Sequence, residues 1–316
     1  MDKVKTLIAM IKPTPGIKAL LSEIEECADI SFLGDDEDIG SRLHDVEVLY
    51  GWIPEKDFHK ADKVRWLQTN STGIDHMMYP AFRNSEIMLT NTGYSITTIV
   101  AEHALSMLFA LARNLHIQRD YMRERKWEIE CGVEIGSFSL GIIGFGKIGS
   151  AIAVRAKPFV KDICVLDMAS VEKPDYVKRV HGFSELHEML GACNAVICSI
   201  PLTSQTRHLI GDAEFAVMPN KSYLVNISRG GIVDEEALVR VLKSGKLAGA
   251  GLDVTEQEPC PAESPLWNEP KLLLTPHSAG FCQDLEKRKI AQFITNFKAY
   301  VKEGRISTAI DKKRGW

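Results

Sequence analysis

An arginine, a glutamate and a histidine follow apolar runs in the second half of the sequence, and all three residue types suit reactions of small polar molecules. Arg229 comes after "YLVNIS", Glu258 a few residues after "AGAGLDV", and His277 after "LLLTP". A guanidinium offers a planar fork of donors to a carboxylate, and an imidazole gives or takes a proton near neutral pH. Loops beyond the carboxyl ends of parallel strands border the ligand crevice of an α/β sheet, so we expect these side chains there.

A glycine-rich turn, "SLGIIGFGKIGSA", lies between a predicted strand and a predicted helix. Its spacing is G-x-G-x-x-G, which gains weight from this context. Gly144 would permit the tight turn, Gly146 would let the backbone approach a pyrophosphate, and Gly149 would let helix and strand pack closely. The backbone N–H groups of Lys147 and Ile148 would then face the phosphates.

An acidic residue ends the next predicted strand, "DICVLD". This is Asp167, 18 residues after Gly149. A carboxylate there accepts hydrogen bonds from ribose hydroxyls and repels a 2′-phosphate, and no arginine occurs among Met168, Ala169 and Ser170. The pattern therefore favours NAD over NADP. The alternative is an ordinary glycine turn with a surface aspartate.

Two α/β sheets are predicted to position these residues, because 316 residues exceed what one core usually organises. Short apolar runs alternate with helical patterns in the first hundred residues, and six more such runs begin at "LGIIGFG". The last helical pattern, 285–301, is expected to pack back on the first domain. The expected domains are residues 1–97 with 283–316, and residues 98–282.

One helical segment, from Thr97 to about Trp127, is apolar over more than half of its circumference. A helix of this kind is expected to be buried between the domains or against another subunit. Its most apolar part, "IVAEHALSMLFALA", carries Glu102 and His103 and is expected to be too short to span a bilayer.

The composition excludes several classes of protein. The net charge of −4 gives no basic footprint for nucleic acid. Seven scattered cysteines without a C-x-x-C motif indicate reduced thiols, neither a disulfide framework nor a metal site. No secretory signal is evident, because the apolar run from Thr6 stops at Lys12. We expect a cytoplasmic protein without a membrane partner.

Taken together, "NSTGID", "GIIGFGKIG", "IPLTSQTRHLIG", "VNISRGGIVDEEAL", "GAGLDVTEQEP" and "TPHSAG" resemble the NAD-dependent D-2-hydroxyacid dehydrogenase family. The similarity runs from about Val64 to the C-terminal helix. It implies an α/β chain with a Rossmann-type doubly wound parallel sheet and a smaller, flavodoxin-like α/β substrate domain. It also implies reversible hydride transfer between NAD(H) and a small 2-oxo acid, giving the D-2-hydroxy acid.

The resemblance gives the three residues of the opening distinct roles. Arg229 would bind the substrate carboxylate and polarise the 2-carbonyl, and a surface ion pair is its alternative. His277 would protonate the carbonyl oxygen and take that proton back in oxidation. Glu258 would hydrogen-bond His277, with Glu256 as the competitor for that role. Glu258 is preferred because it directly precedes Pro259.

Further contacts follow from the same resemblance. The "NSTGID" turn would offer backbone N–H groups to the substrate carboxylate from Thr72, Gly73 and Ile74, and a plain turn is its alternative. Trp52 and Tyr94 are candidates for the wall against the substrate side chain, or are core residues. Additional cofactor contacts are expected at these positions: Pro201, Thr206, Ile227, Ser228, Arg229, Asp253 (beneath the nicotinamide), His277, Ala279 and Gly280.

Several functions remain open at this point. Hydroxypyruvate and glyoxylate are the first substrates to try, and a short D-3-phosphoglycerate dehydrogenase is a second reading. A formate dehydrogenase is disfavoured, because that branch carries an amide where this sequence has Glu258. A corepressor-like protein of the same fold would bind NAD as a ligand, and its function would be to bind a partner, without turnover. The resemblance also implies a homodimer, with the apolar helix from Thr97 as the expected interface.

Overall fold

The computed structural model describes residues 2–169 and 171–313. Met1, residues 314–316 and Ser170, on which parts of the sequence predictions fall, lie outside the described residues. The chain divides into two compact units. Unit 1 comprises Met1–Ile96 and Cys282–Trp316, and unit 2 comprises Thr97–Phe281. These breaks fall one residue before the expected domain boundaries.

Unit 1 is built on a five-stranded sheet in which all neighbouring strands are parallel. Its strands are β1 (Val4–Ile8), β2 (Ala28–Phe32), β3 (Val48–Tyr50), β4 (Trp66–Gln68) and β5 (Met88–Thr90). Their order, β2-β1-β3-β4-β5, is that of flavodoxin-like folds. The apolar runs of the sequence marked β1 to β4, and β5 was not among them.

The helices of unit 1 are α1 (Pro15–Leu21), α2 (Pro80–Arg83) and the C-terminal helix, which is numbered α9 in chain order (Leu285–Glu303). Thr14 caps α1 by accepting a hydrogen bond from the backbone N–H of Ile17. In α9, Phe293 stacks on Trp66 with 5.2 Å between ring centroids and meets Tyr50 edge-on at 5.4 Å. Aromatic packing therefore makes α9 part of the unit 1 core.

Unit 2 contains a seven-stranded parallel sheet. Its strands are β6 (Ser139–Ile143), β7 (Asp162–Leu166), β8 (Arg179–His181), β9 (Ala195–Cys198), β10 (Ser222–Asn226), β11 (Leu247–Leu252) and β12 (Leu272–Leu274). The order β12-β11-β10-β9-β6-β7-β8 is the doubly wound Rossmann order with one added strand, so the predicted fold class is confirmed. The expectation of six strands is wrong, because the short edge strand β8 has no apolar run.

The helices that begin within or lead into unit 2 are α3 (Gly93–Ala112), α4 (Leu115–Arg123), α5 (Lys147–Ala156), α6 (Leu186–Ala192), α7 (Asp212–Val217) and α8 (Glu235–Ser244). The single helix expected from Thr97 to about Trp127 is therefore two helices. Asn114 separates them, with φ of 53° in the left-handed region that asparagine tolerates better than most residues.

Helix α3 corrects a second expectation, because its 20 residues are long and apolar enough to cross a membrane by length and composition alone. Its hydrophobicity has an explanation within unit 2, where the helix packs on β11. A β-carbon on Gly251 would lie 3.1 Å from the side chain of Met107, and one on Gly249 would lie 3.1 Å from the side chain of Leu111. The two glycines let α3 approach the sheet closely, and this packing is that of a core helix.

Candidate active site

The glycine turn between β6 and α5 has the geometry that its spacing predicts. Gly144 has φ of +90°, and a β-carbon there would lie 2.7 Å from the carbonyl oxygen of Ser199. A β-carbon on Gly149 would lie 2.0 Å from the carbonyl oxygen of Gly144. Gly146 instead faces open space, with no described atom within 4 Å of its β-carbon position. That open side, next to the first turn of α5, is a cradle suited to a pyrophosphate.

Asp167 lies directly after β7, beside this turn. Its Oδ2 accepts a hydrogen bond from the backbone N–H of Phe145 at 2.6 Å, and its Oδ1 accepts one from Ala169 at 2.8 Å. The carboxylate is thus held against the glycine turn, where it suits ribose hydroxyls. These residues fit a bound dinucleotide.

The loop after β9 contains two of the predicted cofactor residues. Pro201 is exposed and Thr206 is fully buried. The Thr206 hydroxyl donates to the carbonyl of Pro201 and accepts from the backbone N–H of Thr203, both at 2.7 Å. Thr206 therefore supports this loop from within, and Pro201 is its solvent-facing part.

Arg229 is positioned by a buried asparagine that the sequence analysis did not single out. Asn226, the last residue of β10, donates from Nδ2 to the carbonyl of Arg229 at 2.8 Å. Its Oδ1 accepts from both the backbone N–H and the hydroxyl of Ser228. The half-buried guanidinium of Arg229 donates to the Ser228 carbonyl at 2.8 Å. The sequence signal for Asn226 was a polar residue at the end of the mostly apolar strand β10.

Gly230 lets the Arg229 loop touch the loop that follows β11. A β-carbon on Gly230 would lie 1.9 Å from the carbonyl oxygen of Thr255 and 2.4 Å from the backbone nitrogen of Glu256. Both contacts are with backbone atoms, which cannot move aside as a side chain can. The segments that carry Arg229 and Glu258 are therefore packed backbone against backbone.

We expect Gly230→Ala to separate these two segments. The variant should lose roughly 1–3 kcal/mol of unfolding free energy through overpacking. Its kcat/KM should fall as well, because the segments that carry Arg229 and Glu258 move apart. Urea unfolding and steady-state kinetics measure the two effects. Gly191→Ala is the matched control, because that glycine lies in α6 with 3.5 Å of space to the nearest atom. Equal stability of Gly230→Ala and the native protein would contradict the close packing.

Asp253 follows β11 and is 1% exposed. Its carboxylate accepts from the Thr275 hydroxyl at 2.6 Å and from the backbone N–H groups of Ser278 and Ala279 at 2.9 and 3.0 Å, with His103 Nε2 at 3.5 Å. Burial raises the pKa of such a group, but these donors outweigh burial and hold the pKa of Asp253 below its usual value. Asp253 is thus an ionised residue that ties the β11 loop to the His277 segment.

Asp253→Asn should lower the unfolding free energy at neutral pH by about 1–3 kcal/mol, through loss of charge-assisted hydrogen bonds. Because the pKa is lowered in the folded state, this stabilisation is complete above pH 3.8 and is lost as the pH falls through the lowered value. The difference from the native protein should be equal at pH 7 and pH 5 and should shrink below pH 4, as measured by urea unfolding. Exposed Asp175→Asn is the control. A difference that shrinks between pH 7 and pH 5 would contradict the assignment.

His277 and Glu258 form a direct pair. Nδ1 of His277 lies 2.7 Å from Oε2 of Glu258, and the other carboxylate oxygen accepts from the backbone N–H of Thr255 at 3.2 Å. The backbone N–H of His277 donates to the carbonyl of Asp253 at 2.7 Å, with φ of 51° at His277. This arrangement fixes the imidazole and directs Nε2 away from Glu258.

Glu256, the competitor for the contact with His277, has other partners. Its carboxylate lies 3.1 Å from Nε2 of His208, and its backbone N–H donates to Glu235 at 2.6 Å. Glu258 is therefore the carboxylate that contacts His277. Glu256 instead links the same loop to α8 through Glu235 and to the β9–β10 connection through His208.

In unit 1, the "NSTGID" turn follows β4, and its carbonyls are engaged by side chains. Asn91 donates to Thr72, Ser71 donates to Gly73, and Lys289 of α9 donates to Asn70, at 2.7–2.8 Å. Burial lowers the pKa of Lys289. Lys289 is 219 positions from Asn70 along the chain, so no local pattern in the sequence pointed to it.

Other predicted residues are placed as follows. Trp52 and Tyr94 are 38% and 51% exposed, so neither is a core residue. The side chain of Ile74 is buried. Ile227, Ser228 and Ala279 are also buried within unit 2, and Gly280 is half-buried.

One cluster of possible metal ligands occurs in the described part of the chain, although no metal site is expected from the sequence. Ligand atoms of His181, Glu185 and Glu188 lie within 4.8 Å of one another. Both carboxylates already pair with Arg179. The cluster is therefore explained by an ion-pair network.

Comparisons with known proteins point to one family. The family model described as "D-isomer specific 2-hydroxyacid dehydrogenase, NAD binding domain" matches residues 105–279. A glyoxylate reductase of Korarchaeum cryptofilum is 33% identical over 302 residues, covering 90% of each chain. Glyoxylate/hydroxypyruvate reductase B of Enterobacter sp. is 32% identical over 243 residues, covering 75% of each.

A solved D-isomer specific 2-hydroxyacid dehydrogenase family protein of Aeromonas salmonicida superposes with a TM-score of 0.85 and 26% identity, covering 98% of this chain and 99% of that one. One conclusion follows from the family model and the relatives, and the contact between His277 and Glu258 is consistent with it. The chain belongs to the D-isomer specific 2-hydroxyacid dehydrogenase family and is an NAD-dependent oxidoreductase of 2-hydroxy acids.

Proposed function

We propose that this enzyme reduces glyoxylate to glycolate or hydroxypyruvate to D-glycerate, with Arg229, Glu258 and His277 as its catalytic residues. The observation that carries the proposal is the 2.7 Å contact between His277 and Glu258, on a loop packed directly against the Arg229 segment. The names of the glyoxylate reductase and the glyoxylate/hydroxypyruvate reductase relatives support the choice of substrates.

Arg229 binds the substrate carboxylate and draws electron density from the 2-carbonyl. Its guanidinium stays charged at every relevant pH, and its backbone is fixed by Asn226. Backbone N–H groups of Thr72, Gly73 and Ile74 bind the same carboxylate. The glycine in this turn permits a close approach of the ligand. Unit 1 thus acts as the substrate domain and unit 2 as the cofactor domain.

His277 protonates the carbonyl oxygen during reduction through Nε2. Glu258 accepts the hydrogen bond from Nδ1, which sets the tautomer and stabilises the charged imidazolium. NADH supplies the hydride for this reaction when it is bound. In the oxidation direction, the same imidazole takes the proton from the hydroxyl group.

The cofactor is held by two sets of residues in unit 2. Gly144, Gly146, Lys147, Ile148 and Gly149 form the pyrophosphate cradle, and Asp167 binds the ribose hydroxyls. The second set continues along the loops: Pro201, Thr206, Ile227, Ser228, Arg229, Asp253, His277, Ala279 and Gly280. Because Asp167 would repel a 2′-phosphate, NADH is preferred over NADPH.

The enzyme acts as a cytoplasmic homodimer in this proposal. The proposed interface is the apolar segment from Thr97 to about Trp127, extended here to residue 133 because part of α3 is already buried within unit 2. This surface exposes large apolar side chains, among them Met122, Trp127 and Ile129, which a two-fold partner would cover. A light-scattering mass of one chain at micromolar concentration would contradict the dimer.

The proposed function is tested by following NADH absorbance with purified protein and a panel of 2-oxo acids. We expect rapid oxidation of NADH with glyoxylate or hydroxypyruvate and slower oxidation of NADPH. If no 2-oxo acid is reduced while NADH still binds, the catalytic roles are wrong and the corepressor-like reading gains support. Preferential turnover of 3-phosphohydroxypyruvate would instead favour a short phosphoglycerate dehydrogenase.

A further inference from the structure

Helix α3 and strand β11 of unit 2 pack in a regular register that ends at two polar residues. Met107 and Leu111 of the helix each lie 3.1 Å from the β-carbon position of a glycine in β11, and these glycines are two residues apart in the strand. Four residues of helix rise about 6 Å and two residues of strand about 6.6 Å, so the next pair in the series is His103 and Asp253. The two side chains do meet, with 3.5 Å between Nε2 of His103 and Oδ1 of Asp253.

The imidazole of His103 acts as a donor in this contact. Its Nε2 also lies 3.1 Å from the hydroxyl oxygen of Thr275, and that hydroxyl donates its own proton to Asp253 at 2.6 Å. Because a hydroxyl has a single proton, the Thr275 oxygen accepts from His103, and Nε2 therefore carries a hydrogen. Burial raises the pKa of Asp253, and the bond from His103 is the strongest of the contacts that bring it below its usual value.

The two partners of His103 hold the chain on both sides of His277. Thr275 lies two residues before His277, and the carboxylate of Asp253 accepts from the two backbone N–H groups directly after His277. The backbone N–H of His277 itself donates to the carbonyl of Asp253 at 2.7 Å. His103 thus fixes the segment that carries His277 from a helix that supplies none of the three proposed catalytic residues.

Packing alone does not call for a histidine at position 103. A leucine would continue the apolar stripe of Met107 and Leu111 on the same face of α3. Such a residue would, however, remove a donor from Asp253, a carboxylate that is 1% exposed. The hydrogen bonds of the imidazole, and not its size, are therefore what distinguishes this residue from its apolar neighbours.

We propose that His103 is a positioning residue for the reaction, because through Thr275 and Asp253 it holds the His277 segment in the orientation that proton transfer requires. The inference rests on the proposed function, in which His277 protonates the carbonyl oxygen and Asp253 contacts the cofactor beneath the nicotinamide. His103 acts through these other residues. Its loss should therefore slow the chemical step more than it weakens the binding of substrate or cofactor.

Two substitutions of His103 separate hydrogen bonding from packing. His103→Leu keeps an apolar side chain and loses the donor, so kcat with glyoxylate or hydroxypyruvate should fall roughly 10-fold. KM for the 2-oxo acid and Kd for NADH should change by less than about 2-fold. His103→Gln presents an amide N–H near the position of Nε2 and should recover most of kcat. Steady-state kinetics and titration of NADH fluorescence measure these values.

Leu111→Val is the matched control, because it weakens the same helix face two turns away from Asp253. It should lower the midpoint of urea unfolding and leave kcat unchanged. A fall in kcat for Leu111→Val as large as that for His103→Leu would show that general packing of α3 sets the rate, and it would contradict the positioning role.

The contact can also be measured without turnover, by urea unfolding of the protein alone. Asp253→Asn should lower the unfolding midpoint less in the His103→Leu background than in the native background, since the bond from the imidazole is already absent there. Equal decreases in the two backgrounds would contradict the coupling of His103 to Asp253.

The outcomes separate this inference from the proposed function. If the native enzyme reduces a 2-oxo acid and His103→Leu keeps full kcat, the positioning role alone is overturned. The same holds if His103→Gln is folded and no more active than His103→Leu. Failure of the native enzyme to reduce any 2-oxo acid would overturn the proposed function and the positioning role together.

Discussion

His277→Ala is expected to lower kcat for 2-oxo acid reduction by roughly 10²–10⁴-fold while NADH binding stays largely intact. The carbonyl oxygen needs a proton as hydride arrives at the carbon, and without the imidazole only water supplies it. The substitution removes neither the glycine turn nor Asp167, which hold the cofactor in our proposal. Stopped-flow reduction measures the chemical step, and titration of NADH fluorescence measures binding.

His187→Ala is the matched control, because His187 also pairs with a glutamate in unit 2, with Nε2 2.8 Å from Glu214, but lies on α6. It should keep full activity. Glu258→Gln keeps the shape of the catalytic pair and loses its charge, so kcat for reduction should fall, though less than in His277→Ala. Full activity of His277→Ala, or of Glu258→Gln, would contradict these roles.

The parts of the site that depend on local spacing were predictable from the sequence. Gly144 and Gly149 have the backbone crowding that the G-x-G-x-x-G pattern implies, and Asp167 follows the second strand of the motif. The parallel, doubly wound character of this sheet could be anticipated from its alternating strands and helices, because such connections are parallel and right-handed. Strand β8 was missed, because three residues with one exposed position carry no period.

Contacts between distant loops could not be read from spacing. Gly230 is confined by Thr255, a residue 25 positions away on the loop of another strand. Lys289 reaches Asn70 across 219 positions. Such features depend on three-dimensional packing, and no composition or period encodes the distances involved.

Arg229→Met is expected to lower kcat/KM by roughly 10²–10³-fold, because it leaves the substrate carboxylate without its cationic partner. Methionine approximates the length and apolar stem of arginine, so packing of the loop is largely preserved. Arg229→Lys restores the charge but not the planar fork, and we expect it to fall between methionine and the native residue. Both KM and kcat should change, since the guanidinium binds the carboxylate in the ground state and polarises the carbonyl in the transition state.

The control for this substitution is Arg240→Met on α8, where the guanidinium pairs with Asp212 at 2.8 Å on an exposed surface. It removes the same side chain from the same unit and should leave kcat/KM unchanged. A separate comparison tests the role of the backbone, because Asn226→Ala removes the bond to the Arg229 carbonyl while keeping the guanidinium. If Asn226→Ala lowers kcat/KM and Arg229→Met does not, the loop matters and the charge does not. A loss in Arg229→Met that exceeds the loss in Arg229→Lys assigns the effect to the cation itself.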